Sequence, residues 1–135
     1  MTNGGPHNMT LEGVRILLTD DHAVMRQALR VILEHNSEVE VVGEAANGVE
    51  AVSMAAALRP DLVIMDVNMP RMDGIQATKQ IKTARPATIV IGLSVIDDKH
   101  VTEAMKAAGA EAVLLKDAAE QLHEAIATLV QRGTS

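Results

Sequence analysis

Five short apolar runs are spaced along the chain, and a stretch with helical signals follows each of them. Each run is five or six residues long and rich in Val, Ile and Leu, which is typical of strands. Strands that are apolar along their whole length are buried on both faces. The alternation therefore predicts an α/β fold in which a parallel sheet lies between helices. The runs are VRILLT, VEVVGE, DLVIMD, TIVIGL and AVLLK, at residues 14–19, 39–44, 61–66, 88–93 and 112–116.

The segments between these runs carry the start and stop signals of helices. Aspartates suited to cap a helix N-terminus precede three of them: Asp73, Asp97 or Asp98, and Asp117. Gly109 ends the fourth helix. Right-handed crossovers between such units favour a doubly wound, five-stranded parallel sheet of order 2-1-3-4-5. The predicted helices span residues 22–35, 49–58, 74–85, 98–107 and 118–130.

Length and composition indicate one domain. The 135 residues include no cysteine, which excludes disulfides and thiolate metal sites and agrees with a cytoplasmic location. No apolar run approaches the ~20 residues of a membrane span, and the polar N-terminus lacks the features of a signal peptide. We expect a disordered leader or tag at residues 1–12, one folded domain at 13–131, and a tail or linker stub at 132–135.

The net charge and the missing aromatic side chains exclude several kinds of partner. A net charge of −6 argues against broad contact of this segment with nucleic acid. The chain has no Phe, Tyr or Trp, so no aromatic ring can stack on a base or a cofactor. Because no G-x-G-x-x-G motif follows the first strand either, a dinucleotide or flavin site is disfavoured.

Polar side chains end the predicted strands at one edge of the sheet. In a sheet of order 2-1-3-4-5 they meet beyond the carboxyl ends of the strands, near the switch point. Three neighbouring carboxylates repel one another, and a cation that prefers oxygen ligands, Mg²⁺, removes that repulsion. With a lysine beside it, such a site suits a phosphoryl group and a carboxylate nucleophile. The residues are Asp20 and Asp21 after the first strand, Asp66 at the end of the third, Ser94 after the fourth and Lys116 at the end of the fifth.

Each of these residues also has an ordinary structural interpretation. An Asp-Asp pair after a strand is typical of a helix N-cap with a solvated neighbour. Asp66 could start a turn, Ser94 could be a loop hydroxyl, and Lys116 could lie along the surface with its stem on apolar neighbours. Their coincidence at one edge of one sheet favours the functional interpretation.

Four stretches together resemble the receiver domains of two-component response regulators. They are DDH at 20–22, IMDVNMPRMDG at 64–74, LS at 93–94 and LLKDA at 114–118. Further detail in VVGEAANGVEAV and LLKDA is similar to receivers of the NarL/FixJ type. The resemblance implies a flavodoxin-like receiver fold. It also implies a protein that is not an enzyme beyond its own phosphorylation and dephosphorylation, with a sensor histidine kinase or phosphotransfer protein as partner.

The resemblance implies a phosphoacceptor and a set of Mg²⁺ ligands. Asp66 resembles the residue that takes the phosphoryl group. Asp21 resembles a direct Mg²⁺ ligand, and Asp20 one that acts mostly through water. Asp66 itself and the main-chain carbonyl of Asn68 would complete the metal site, while Lys116 would pair with the phosphoryl oxygens.

The resemblance also implies a switch. Ser94 resembles the hydroxyl that moves toward the new phosphoryl group. The family usually carries an aromatic residue three positions before Lys116, and this chain has Val113 there. Pro70 and Gly74 would shape the loop after the phosphoacceptor, since proline fixes φ and glycine accepts positive φ. The change would reach the surface of the fourth and fifth helices, where a partner or a second receiver in a homodimer could bind.

Two alternatives keep the same fold. A receiver-like binding module would hold Mg²⁺ without taking up a phosphoryl group. A phosphatase with an aspartyl nucleophile would need a second acid two residues after Asp66, where the chain has Asn68. Receivers of the NarL/FixJ type normally precede a helix-turn-helix DNA-binding domain, whereas others belong to hybrid kinases. The flanking gene sequence would therefore distinguish transcription control from a phosphorelay.

Overall fold

The computed structural model describes residues 13–35 and 38–134, so the predicted leader at 1–12 lies outside the described residues. Five strands form one sheet of order β2-β1-β3-β4-β5, and each neighbouring pair is parallel. This confirms the strand order predicted from the sequence. The strands are β1 (Val14–Thr19), β2 (Val39–Ala45), β3 (Leu62–Asp66), β4 (Ile89–Ser94) and β5 (Ala112–Leu115).

Helices follow the strands in alternation, as predicted. Side chains of Asn47, Asp73 and Asp98 cap three of them by accepting hydrogen bonds from main-chain N–H groups of the first turn. Gly109 ends the fourth helix in the left-handed conformation, with φ of 118°. The helices are α1 (Ala23–Glu34), α2 (Gly48–Leu58), α3 (Gly74–Ala84), α4 (Lys99–Ala108) and α5 (Leu122–Thr134).

The predicted start of the last helix is wrong. A 3₁₀ segment, Lys116–Gln121, follows β5 directly, and α5 begins only at Leu122. Asp117 therefore lies inside the first turn of the 3₁₀ segment instead of capping a helix from outside. The Asp117 carboxylate still lies at the N-terminus of a helical segment, where the helix dipole favours a negative charge. The far end of α5 also extends past the predicted Val130, to Thr134.

Apolar layers on both faces of the sheet hold the helices. Because successive side chains of a strand point to opposite faces, Ile64 of β3 joins one layer and Val63 joins the other. Helices α1 and α5 cover the first face, and α2, α3 and α4 cover the second. The helix residues buried in these layers include Leu29, Leu33, Leu122 and Ile126 on the first face and Ala51, Ala77, Ile81 and Met105 on the second. Among the described residues, no helix is long and apolar enough to cross a membrane.

A lysine near the end of α3 joins three elements at the opposite edge from the predicted site. The Lys82 Nζ donates to the carbonyls of Pro86 and Thr88 at 3.0 and 2.6 Å. It also lies 2.6 Å from Oε2 of Glu111, whose Oε1 accepts from the N–H of Val90 at 2.9 Å. The ammonium thus links α3, the approach to β4 and the turn before β5.

Replacing Lys82 with methionine is expected to lower the free energy of unfolding by about 2 kcal/mol, because the part-buried carbonyl of Thr88 and the carboxylate of Glu111 lose a charged donor whose side chain is only 15% exposed. Urea denaturation followed by far-UV circular dichroism measures the change. The matched control is Lys79→Met, an exposed lysine of the same helix, for which the expected change is under about 0.5 kcal/mol. Equal losses in the two variants would contradict a specific role for Lys82.

Candidate functional site

The strand ends bring two buried aspartates to the same edge of the sheet. Asp20 follows β1, and its N–H donates to the carbonyl of Ala45 at the end of β2, at 3.1 Å. Asp66 is the last residue of β3. Its successor Val67 donates to the carbonyl of Leu93 in β4 at 3.0 Å, which fixes the direction of the chain as it leaves the sheet. The side chains of both aspartates are almost completely buried.

Lys116 bridges the two aspartates from the end of β5. Its Nζ lies 2.8 Å from Oδ2 of Asp20 and 3.2 Å from Oδ2 of Asp66. The other oxygen of each carboxylate accepts a main-chain hydrogen bond, from the N–H of His22 at 2.9 Å and from that of Asn68 at 3.2 Å. The structure therefore brings together three of the predicted site residues, from three different strands.

Burial and charge shift the protonation of this cluster. Burial, followed by the negative charge of Asp20, raises the pKa of Asp66 from 3.8 to about 6, although Lys116 and the N–H of Asn68 act in the opposite direction. Burial lowers the pKa of Lys116, but the carboxylates of Asp20 and Asp66 outweigh it, so that the pKa lies above its ordinary value. At neutral pH the carboxyl group of Asp66 is therefore mainly ionised and faces the ammonium of Lys116.

Several carboxylate oxygens of the cluster are available to a cation. Oδ2 of Asp20, Oδ1 of Asp21 and Oδ2 of Asp66 are buried and have no hydrogen-bond partner within the described part of the chain. The ammonium of Lys116 lies 2.8 and 3.2 Å from two of them, Oδ2 of Asp20 and Oδ2 of Asp66, and forms ion pairs with both carboxylates. Buried carboxylate oxygens without hydrogen bonds are suitable ligands for a hard divalent cation, and the donor set fits Mg²⁺.

Sequence reasoning missed the position of His22 beside the acidic pair. Its Nδ1 lies 3.1 Å from Oδ1 of Asp21 and 3.5 Å from Oδ1 of Asp20. Ligand atoms of these three residues all lie within 4.8 Å of one another, although the histidine side chain is 72% exposed. The only sequence signal was its place directly after the two aspartates.

The hydroxyl of Ser94 forms a local contact. It is buried at the end of β4, and its Oγ donates to the carbonyl of Ile96 at 2.8 Å, two residues further along its own loop. Val113 pairs in register with Gly92 of the neighbouring strand β4 and packs half-buried against the second core layer. A half-buried aliphatic side chain thus occupies the position where the family usually carries an aromatic residue.

The loop after Asp66 differs from the prediction in one respect. Gly74 is required by close packing and not by positive φ: a Cβ there would collide with the carbonyl oxygen of Asp66 and lie 2.9 Å from Cα of Val67. Its N–H donates to the carbonyl of Val67 at 2.8 Å. The residue with positive φ in this loop is Arg71, at 68°. The start of α3 is therefore held directly against the end of β3.

The fold and the site together define a flavodoxin-like α/β domain with an acidic, lysine-bridged centre at its switch point. Residues 16–127 match the family model described as the response regulator receiver domain, and the chain belongs to this family.

Similar proteins are regulators that contain such a domain. A transcriptional regulatory protein of Bacillus subtilis (strain 168), YhcZ, is 47% identical over 105 residues, covering 77% of this chain and 49% of that protein. The signal receiver domain of the response regulator NarL from Mycobacterium tuberculosis superposes with a TM-score of 0.84 at 30% identity, covering 89% of this chain and 98% of that domain. The chain spans about half the length of the transcriptional regulators that it matches.

An enzyme is also among the relatives. A protein-glutamate methylesterase/protein-glutamine glutaminase of Anaeromyxobacter dehalogenans (strain 2CP-C) is 50% identical over 105 residues, but these residues are only 30% of that protein. The shared part is the length of one receiver domain. The match therefore supports a receiver, and it says nothing about the chemistry of the other 70% of that enzyme.

Proposed function

We propose that Asp66 is the phosphoacceptor of this receiver and that its donor is a phosphohistidine of a sensor histidine kinase or a phosphotransfer protein. The observation that carries the proposal is the Lys116 ammonium, which lies 3.2 Å from Oδ2 of this buried carboxylate. A phosphoryl group on Asp66 would lie beside that positive charge. Such a fixed charge stabilises the oxygens of a transferring phosphoryl group.

The transfer requires one bond to form and one to break. An ionised carboxylate oxygen of Asp66 attacks phosphorus, and the bond from phosphorus to the imidazole nitrogen of the donor breaks, with its electron pair leaving on the nitrogen. Lys116 pairs with the phosphoryl oxygens throughout. Because the pKa of Asp66 is about 6, most of the carboxylate is ionised and able to attack at neutral pH.

The acidic cluster would hold Mg²⁺ for this reaction. Asp21, Asp20, Asp66 and the main-chain carbonyl of Asn68 are the proposed ligands, the first directly and the second mostly through water. When bound, Mg²⁺ supplies positive charge that offsets the repulsion between the carboxylates and the incoming phosphoryl group. The buried oxygens of Asp20, Asp21 and Asp66 without hydrogen bonds support this assignment.

The phosphorylated state would differ at the loop after β4. We propose that Ser94 exchanges its hydrogen bond to Ile96 for one to a phosphoryl oxygen, which moves the loop before α4. Val113 then repacks beneath it, and the surface of α4 and α5 changes for a partner or for a second receiver in a homodimer. Because several of the relatives are transcriptional regulators, we propose that the intact protein controls transcription in the cytoplasm through a separate DNA-binding segment.

Incubation with acetyl phosphate and Mg²⁺ is expected to add one phosphoryl group to the chain, detected by intact-protein mass spectrometry. Chelation of the cation with EDTA should abolish the uptake, since the acidic cluster then repels the phosphoryl donor. Binding of Mg²⁺ without uptake would favour the receiver-like binding module. Sustained turnover of a general phosphate ester such as p-nitrophenyl phosphate would favour the phosphatase instead.

A further inference from the structure

An arginine of α1 contacts the main chain of the acidic pair. The side chain of Arg26 is 18% exposed, and its Nη1 donates to the main-chain carbonyl of Asp20 at 2.6 Å. Its Nε lies 3.0 Å from Oε1 of Glu44 in β2. Two nitrogens of the planar guanidinium thus join the loop between β1 and α1 to the neighbouring strand β2.

The contacted carbonyl belongs to the peptide that joins Asp20 to Asp21. The N–H of Asp20 is already held by the carbonyl of Ala45 at 3.1 Å, so contacts to fixed elements hold both sides of this residue. The orientation of the Asp20–Asp21 peptide decides where the Asp21 side chain begins. We propose that Arg26 is a positioning residue for the acidic pair, which keeps both carboxylates in place to receive Mg²⁺. The inference rests on the proposed function, in which this pair holds the cation.

The chain offers a matched control on the same helix. Arg30 also contacts Glu44, with Nη1 2.6 Å from Oε2, and it lies 3.3 Å from Oε2 of Glu34. The contacts of Arg30 are to carboxylates, whereas Arg26 also reaches the Asp20 carbonyl. Loss of Arg30 therefore removes an ion pair between α1 and β2 but leaves the anchor on the acidic pair.

Charge and positioning predict opposite effects of removing Arg26. A guanidinium near the site repels a divalent cation, so charge alone predicts that Arg26→Met binds Mg²⁺ more tightly. Positioning predicts weaker binding, because residues that orient metal ligands typically contribute about 10-fold or more to metal affinity. The direction of the change in Kd therefore distinguishes the two explanations.

The experiment is isothermal titration of Mg²⁺ into the metal-free chain and its variants. Arg26→Met is expected to raise Kd by about 10-fold and Arg30→Met by less than about twofold. Arg26→Lys keeps the positive charge but lacks the fork that reaches both partners, so it should also weaken binding. If Arg26→Met fails to fold, Arg26→Lys still tests the inference. Urea denaturation of each variant shows whether it is folded.

The possible outcomes separate this inference from the proposed function. A wild-type chain that binds no Mg²⁺ would overturn the metal site and the role of Arg26 together. Binding by the wild type with unchanged or tighter binding in the folded Arg26 variants would overturn the role of Arg26 alone. An equal loss in Arg30→Met would show that the ion pairs between α1 and β2 matter, and not the anchor on Asp20.

Discussion

Replacing Asp66 with alanine is expected to abolish phosphoryl uptake from acetyl phosphate. The substitution removes the only nucleophilic oxygens proposed for the transfer, and a methyl group cannot form the bond to phosphorus. Intact-protein mass spectrometry after incubation with Mg²⁺ and acetyl phosphate measures the fraction of modified chains. We expect one added phosphoryl group on the parent chain and none on the variant.

The control for this experiment is Asp117→Ala. Asp117 lies next to Lys116 in the sequence, yet it is exposed in the first turn of the 3₁₀ segment, where its own carboxylate has no part in the proposed transfer. This variant should take up the phosphoryl group as the parent does. Equal labelling of Asp66→Ala and the parent would disprove the assignment of Asp66. Loss of labelling in both variants would point instead to a general disturbance of the β5 end of the site.

Replacing Asp66 with asparagine is expected to raise the free energy of unfolding at pH 7 by about 2 kcal/mol. The rise in the pKa of Asp66 from 3.8 to about 6 means that the folded state disfavours the ionised form, chiefly through burial and the charge of Asp20. Each pH unit corresponds to about 1.4 kcal/mol, so the parent loses on the order of 3 kcal/mol when Asp66 ionises. This figure already includes the attraction of Lys116. We expect a smaller gain, because an amide has only one oxygen to face both the N–H of Asn68 and the ammonium of Lys116.

The gain should depend on pH in a defined direction. Between about pH 4 and pH 6 the folded chain holds a proton on Asp66 that the unfolded chain has already released, so stability falls as pH rises through this interval. The advantage of the asparagine variant should therefore be small below pH 4 and complete above about pH 6. Urea denaturation without Mg²⁺ across this range measures the advantage as a difference from the parent, which removes the contribution of groups that do not interact with Asp66.

The control for the stability series is Asp97→Asn, an exposed aspartate in the loop before α4. Its effect should remain under about 0.5 kcal/mol at every pH. A destabilised Asp66→Asn variant, or a gain that does not change between pH 4 and pH 6, would show that the ionised carboxylate of Asp66 is not a cost to the folded chain. In that case the attraction between Lys116 and the carboxylate of Asp66 is larger than the free-energy cost of burying that carboxylate.

Sequence patterns determined the elements and their order because these patterns are local. Apolar runs such as LVIMD become strands that are buried on both faces, and Asp98 and Gly109 mark the two ends of α4 as predicted. Short connections and right-handed crossovers then leave few sheet orders, and the observed order follows. For the same reason the sequence placed Asp20 and Asp66 at one edge of the sheet.

Only the tertiary structure decided which groups touch. The contact of Arg26 with the Asp20 carbonyl, the collision that makes Gly74 necessary, and the local hydrogen bond of Ser94 depend on the register of strands and on how closely helices approach them. The late start of α5 likewise follows from how the chain turns directly after β5. Periodicity specifies which face a side chain occupies, but it contains no information on distances between segments far apart in the chain. Packing sets those distances. Because the pKa of Asp66 depends on its burial and on its distances to Asp20 and Lys116, packing also raises that pKa.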